Sequence, residues 1–462
     1  MKNTNFWVLR GVREGSNFAS KFNEKMRMKK MDFLLAMMAG LFVPQGISAQ
    51  EPADEGSMSR SENSRLSVGG YGEAAFSRRF YSDNQYRYKN WSQYANDPSN
   101  GQFDIPHAVL YLGYDFGSGW TFGTEIEFEH TGTGVATEIE ADEGGEYEKE
   151  VEKGGEVALE QWWLNKRFAS WANIRVGHII VPVGLNNAHH EPLNFFTVYR
   201  PEGENTILPS TWHDTGVSLW GTSGDFRYEL LMVAGLNALQ YSRDGWIHNG
   251  AGSAFEFKPA NKYGYAFRLD NYSVKGLRMA ISGYYGQGMH NNYPNEMEGA
   301  GKMYSGVKAH TAVGCFDFTY KGYGWIARGQ ADYGYVSDTP LLNIVKANMQ
   351  KHSNANVSKV GRNAVATGLE AGYDVFRLLE GTRSKGKKLY VFGRYEYYNS
   401  YIPEETQTKY EYTGRHVMTA GINYLPLPQI VVKAEYSYRN LKEPYNDEPS
   451  INIGVAYQGF FR

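Results

Sequence analysis

Four sets of residues in this 462-residue chain have the types and spacing for chemistry. His189, His190 and Glu191 follow one another and offer two imidazoles and a carboxylate. Ser210 and His213 bring a hydroxyl and an imidazole close together. Residues 137–156 hold Glu138, Glu140, Asp142, Glu143, Glu146, Glu148, Glu150, Glu152 and Glu156, with Lys149 and Lys153 among them. Charged residues recur singly through the remainder of the chain, arginines such as Arg268 and Arg394 among acids such as Asp270 and Glu396.

Most of these sets read more simply as structure. Zinc enzymes place two histidines one helical turn apart, whereas adjacent side chains diverge, so the His189–His190–Glu191 run is not such a pair. A catalytic zinc also needs three protein ligands and an open position. Ser210 lacks the Gly-x-Ser-x-Gly context of a nucleophile elbow and reads, with His213, as a loop residue. The acidic run could bind calcium or bridge lipopolysaccharide, but its spacing matches no defined calcium loop, and charge blocks are usually solvated. Cys315 is the single cysteine, which rules out an internal disulfide framework and leaves it as a small residue in an apolar strand pattern. We assign no catalytic residue, no metal and no cofactor.

The elements that must carry these residues follow from composition and periodicity. Aromatics make up 15% of the chain and glycine is frequent at 52 residues. Mean hydropathy is −0.53, as for a soluble protein, yet a barrel in lipid averages as low because its lumen-facing residues are polar. The net charge of −3 excludes a strongly basic nucleic-acid binder. Near the start, Met28-Lys29-Lys30 precedes the apolar run Phe33–Val43, a break at Pro44 and Gly46, and a small residue at Ala49. That order is a secretory signal, with an apolar core too short for a transmembrane helix. The polar residues ahead of it suggest that translation starts at Met26 or Met28. Residues 1–49 are then extension and signal peptide, 50–64 an acidic lead-in, and 65–462 one domain.

Within that domain the period is two. Ile430, Val432, Ala434, Tyr436 and Tyr438 alternate with Val431, Lys433, Glu435, Ser437 and Arg439, and Trp120, Phe122, Ile126 and Phe128 face away from Glu125 and Glu127. Runs of ten or more residues suit a tilted strand that crosses a bilayer, and their apolar faces end in Tyr, Trp and Phe. An open sheet cannot span lipid, because its edge groups would go unsatisfied. The fold class is therefore all-β: a transmembrane antiparallel β-barrel of about sixteen strands. The predicted strands are 66–80, 102–117, 119–131, 156–168, 172–181, 213–222, 225–235, 262–272, 276–286, 306–320, 323–335, 362–376, 388–399, 413–425, 429–440 and 450–461. Tight turns alternate with long polar loops, the arrangement of short periplasmic turns and long extracellular loops in an outer membrane of a Gram-negative bacterium.

The long connection 182–212 departs from the other loops. It carries Leu193, Phe195, Phe196, Val198 and Tyr199, which are unfavourable to expose. Folding into the barrel would give them a wall; packing outside on neighbouring loops or another subunit is the alternative. Here Arg175-Val176-Gly177-His178-Ile179-Ile180-Val181-Pro182-Val183-Gly184-Leu185, then Phe195-Phe196 and Trp212-His213-Asp214-Thr215-Gly216-Val217, resembles the phosphate-selective porin O and P family. About forty residues carry the likeness. It implies a sixteen-stranded trimeric porin constricted by its third long loop, with His189, His190, Glu191, Phe195, Phe196, Arg200 and Glu202 in the constriction.

Alternation puts Arg175, Arg227, Arg268, Arg278, Arg328, Arg394, Arg415, Lys433 and Arg439 on the lumen face, against Glu125, Glu127, Glu229, Asp270, Asp332, Glu370, Glu396 and Glu435. Charge rings of one sign set ion preference, and this lining is nearly balanced. The expected function is passive diffusion of small polar solutes, including anions such as phosphate, with lipid, lipopolysaccharide and two further copies of the chain as partners. A receptor or adhesin with a plugged barrel, and a barrel enzyme, are the alternatives.

Overall fold

The computed structural model describes residues 65–84, 86–130, 138–140, 148–150, 156–252, 258–291, 306–349, 358–378, 386–405 and 407–461. The stretches read above as signal and lead-in, and most of the acidic run 137–156, lie outside them. Of that run, Glu138–Glu140 and Glu148–Glu150 pair as a small antiparallel ribbon.

Sixteen long strands form the wall. They are β1 (Leu66–Arg79), β2 (His107–Gly117), β3 (Trp120–Glu129), β4 (Glu156–Ala169), β5 (Ala172–Ile180), β6 (His213–Ser223), β7 (Phe226–Val233) and β8 (Gly264–Val274). The second half comprises β9 (Leu277–Gln287), β10 (His310–Gly322), β11 (Trp325–Val336), β12 (Asn363–Asp374), β13 (Lys388–Ile402), β14 (Gly414–Leu427), β15 (Ile430–Leu441) and β16 (Glu448–Phe460). Each pairs antiparallel with its chain neighbour, and β1 pairs with β16 from Gly69↔Phe460 to Arg79↔Ser450. The sheet thus closes on itself, as it must in lipid, where no backbone group on an edge would find water.

The two faces separate as period two requires. Val176, Leu219, Leu230, Phe267, Phe316, Leu369, Val391, Ile422, Val432 and Ile453 are exposed on the outer face, while Arg268, Asp270, Glu370, Arg394, Glu396, Lys433 and Glu435 are buried on the inner one. An exposed apolar face of this extent on a closed wall belongs in hydrocarbon, and the protein is an outer-membrane barrel. Outward aromatics gather at both ends. Trp120, Trp171, Tyr323 and Trp325 sit at the tight-turn end, and Phe80, Phe103, Tyr265, Tyr285 and Tyr333 at the loop end. Among the described residues no helix is long and apolar enough to cross a membrane.

Turn chemistry explains the tight end. Ser223 pairs with Phe226, and Gly224 between them adopts a φ of 58°, which glycine takes without steric cost. The strand expected over 102–117 is instead two. Asn100–Asp104 pairs with the upper half of β1 (Ala75↔Asp104 to Arg79↔Asn100), and β2 pairs with its lower half (Leu66↔Tyr114 to Gly72↔Ala108). Pro106 lies at the break; without an N–H it cannot donate to the ladder. A helix α3 in a long loop (Thr339–Met349) was not anticipated. Its Leu342 and Val345 join Leu236, Leu239, Tyr241 and Trp246 in a core among the long connections.

Candidate functional site: the charged lumen and the segment docked in it

The segment between β5 and β6 is placed by three residues at its base. Pro182 ends β5, and Gly184 turns the chain at a φ of 90°. A Cβ at Gly184 would come within 2.3 Å of Glu204 Oε1, so only glycine leaves room for that carboxylate. Glu204 lies on a short helix α2 (Glu202–Ile207) and accepts the N–H groups of Leu185 (2.9 Å), Asn186 (2.8 Å) and Asn187 (3.0 Å) in the helix α1 (Leu185–Ala188). Burial, working against these three N–H groups, pushes the Glu204 carboxyl up to about 7. Farther on, Asp214 accepts Gly235 N–H at 2.9 Å and meets Lys258 Nζ at 2.9 Å, which ties the next long loop to the start of β6.

The backbone of the segment is hydrogen-bonded along its length to side chains of the inner face. Phe196 N–H donates to Glu370 (3.4 Å), Val198 N–H to Glu435 (2.8 Å), and Gly203 N–H to Glu396 (3.1 Å). In return Lys433 Nζ donates to the carbonyls of Pro192 (2.7 Å), Phe195 (3.1 Å) and Thr197 (2.8 Å), and Asn423 to that of Phe196 (2.9 Å). The apolar side chains follow the same path. Phe196 stacks on Phe392 with centroids 5.2 Å apart, and Arg328 lies over its ring at 5.0 Å. Leu193 and Tyr199 are half-buried; Phe195, Phe196 and Val198 are fully covered.

The predicted lumen charges divide into two walls. On β5 to β10 the cations pair with acids of the same wall. Arg227 meets Glu229 at 3.0 Å; Arg268 meets Asp270 at 3.0 Å and Asp317 at 3.2 Å; Arg278 meets the same two at 3.0 and 2.7 Å. Arg175 lies 3.8 Å from Glu229 and over the rings of Trp163 and Trp220. A comparable ladder runs Arg328–Glu370–Arg394–Glu396 at 2.5, 3.2 and 2.9 Å. Near the loop end, Glu202 joins Arg415 (3.7 Å) and Arg439 (2.8 Å), and Arg439 also pairs with Glu448.

On β1 to β4 the balance is opposite. Glu73, Glu125, Glu127 and Glu160 are all buried there, and their cations come largely from the docked segment. Arg200 Nη2 lies 3.7 Å from Glu127, while its Nη1 donates to Thr211 at 3.1 Å and to Ser210 at 3.3 Å. Burial opposes the charge on Arg200, but Tyr71, Glu127 and Glu160 hold it protonated. His190 Nε2 faces Glu125 at 3.9 Å. Although burial disfavours its charge, Glu125, Glu191 and Glu160 raise the His190 imidazole to about 10. Its neighbour His189 points toward the opposite wall, where burial and the charges of Arg278 and Arg268 push it well below its usual value. Glu191 accepts Asn194 Nδ2 at 2.8 Å. His213 pairs with His178 at 2.5 Å, whereas Ser210 Oγ accepts from Arg200.

Sequence reasoning missed Glu73, His107, Asp317 and above all Glu160. Ile126 pairs with Leu159 and Glu125 with Gln161, so Glu160 is the extra residue of a β-bulge. The outward series Val157, Leu159 then resumes at Trp162, Leu164, one residue out of phase. That slip is visible in the sequence, and it was the available signal. Between the walls lies a cavity of about 550 Å³ bounded by Glu125, Arg175, His190, Arg227, Glu229 and Lys321, among others.

No protein-family model matches the chain. An uncharacterized protein of Aquifex aeolicus (strain VF5) is 27% identical over 400 residues, covering 84% of this chain and 78% of that protein. Among solved structures, an anion-selective porin from Comamonas acidovorans superimposes with a TM-score of 0.50 at 9% identity, covering 85% of this chain and 99% of its own. Salmonella typhi OmpF gives a TM-score of 0.49 at 10% identity over 85% of this chain and 97% of its own. The chain has the fold of the outer-membrane porins.

Proposed function

We propose that the barrel is a diffusion porin, passing small polar solutes through a lumen narrowed by residues 182–212. The supporting observation is the docking of that segment's backbone on inner-face charges, with a polar cavity left between an acidic and a basic wall. Opposed walls make a transverse field that orients dipolar solutes, and the low-dielectric barrel strengthens it. The steps of Arg175, Arg227, Arg268 and Arg278 favour small anions, phosphate among them, although their carboxylate partners weaken the preference. The stretch from Arg175 to Val217 that resembles phosphate-selective porins supports the same class, and with it a trimer. So does the fold likeness to a porin named as anion-selective.

Planar bilayers test the proposal. The purified protein should insert and carry a steady ohmic current, with a reversal potential on the anion side in a salt gradient. Protein that inserts without ever conducting would leave a receptor or enzyme as the function. Lys433→Met removes the donor to three carbonyls of the segment, which should raise single-channel conductance and expose residues 189–200 to proteolysis. Nicking without a change in conductance would take the segment out of the permeation path.

A further inference from the structure

The geometry points to a binding site for a divalent transition-metal cation of the zinc class, formed by Glu125 of β3, Glu160 of β4 and His190 of the docked segment. One ligand atom from each lies within 4.8 Å of the others, and all three residues are buried. His190 Nδ1 lies 3.2 Å from the Asn187 carbonyl and keeps its N–H there, so Nε2, which faces Glu125, is the nitrogen that would release its proton when a cation binds. Metal-binding histidines are held in this way by a backbone acceptor on the far nitrogen. Glu125 is oriented likewise, its Oε2 accepting Gln161 Nε2 at 2.5 Å while Oε1 faces His190.

Glu160 supplies the independent observation. It is fully sealed from solvent, and neither oxygen has a well-formed hydrogen bond, with Thr211 and Glu127 its near polar neighbours. The β-bulge takes this one residue out of the strand alternation, and its carboxylate lies within 4.8 Å of the His190 ring nitrogen. A carboxylate sealed from water and so poorly supplied with donors is costly unless paired or bound to a metal. The four carboxylates of this wall otherwise meet Arg200 and the two imidazoles of His107 and His190. One imidazole with two carboxylates suits zinc, which takes nitrogen and oxygen ligands at about 2.0–2.2 Å. The 3.9 Å between Nε2 and Oε1 needs only a small closure to reach the roughly 3.4 Å edge of a tetrahedron. Glu125 and His190 also border the lumen cavity, which gives the ion a path in and leaves room for a water as fourth ligand.

The site concerns binding alone, so it stands or falls apart from conduction. Chelator-stripped protein in detergent should take up one zinc per chain in equilibrium dialysis against zinc chloride. Glu160→Gln and His190→Gln, checked for folding by heat-modifiable gel mobility, should each weaken uptake at least about tenfold. Deleting residues 137–155 removes the acidic loop as a competing site and should leave that uptake intact. Zinc-edge X-ray absorption of the wild-type protein needs no variant, and should show a single imidazole among oxygen scatterers. No stoichiometric zinc on the wild-type protein, uptake unchanged in Glu160→Gln, or a shell without imidazole would each overturn the site.

Discussion

The two lumen walls differ less in how much charge they carry than in where each finds its counter-charge. The basic wall of β5 to β10 is self-contained: Asp270 and Asp317 each meet both Arg268 and Arg278, so each of these four has an alternative partner. The acidic wall of β1 to β4 depends on a segment that begins more than fifty residues after Glu125, through Arg200 and His190. Redundant pairs on one sheet stiffen the sheet. Pairs between a sheet and a loop hold the loop, and losing one partner strands a buried charge.

Substitutions at each wall should reveal that contrast. Arg200→Glu adds a carboxylate among Glu73, Glu127 and Glu160, and should cost about 3–5 kcal/mol, the range for breaking a buried pair. Its heat-modifiable transition should fall sharply; a transition equal to wild type would mean that the acidic wall does not rely on the segment. Arg278→Gln leaves Asp270 and Asp317 still bridged by Arg268, so its effect should stay near 1 kcal/mol. A loss as large as that of Arg200→Glu would erase the distinction.

The smallest effect is expected outside both walls, at Lys346 of α3. Burial lowers this amine to about 7, while its Nζ donates to the carbonyls of Tyr241 and Ser358. Because the folded value lies below the unfolded one of about 10.4, its contribution is greatest at high pH. It declines as pH falls toward 7 and is flat below. Hydrogen-exchange protection of Thr339–Met349, corrected for intrinsic rates, should therefore rise between pH 7 and 10. Lys346→Met should abolish that rise, and a rise that persists would assign it to another group.

Strand placement was legible because a two-faced wall repeats one rule, and the bounds found lie within a few residues of those expected. Inner and outer faces followed, and Arg268, Arg394, Lys433 and Glu125 are buried where the apolar residues beside them are exposed. The divergence of His189 and His190 was also legible, since consecutive residues point apart. What each would then face was not, because Glu125 and Glu160 reach His190 only once the barrel closes and the segment docks. Pro106 was readable as a strand break and was passed over. Helix α3 was hidden for another reason: it packs on distant loops, so tertiary contacts rather than local pattern decide it.

The outward aromatics at the two ends act as a waterline. Indole and phenol rings prefer the headgroup layer to either oil or water. With Trp120, Trp171, Tyr323 and Trp325 on one rim and Tyr265, Tyr285 and Tyr333 on the other, the molecule is held at one depth. Sinking or rising would drag rings of one rim into hydrocarbon and lift those of the other into water. The bilayer must then thin or thicken to fit the protein, so lipid thickness, not the barrel, is what adjusts when the two disagree.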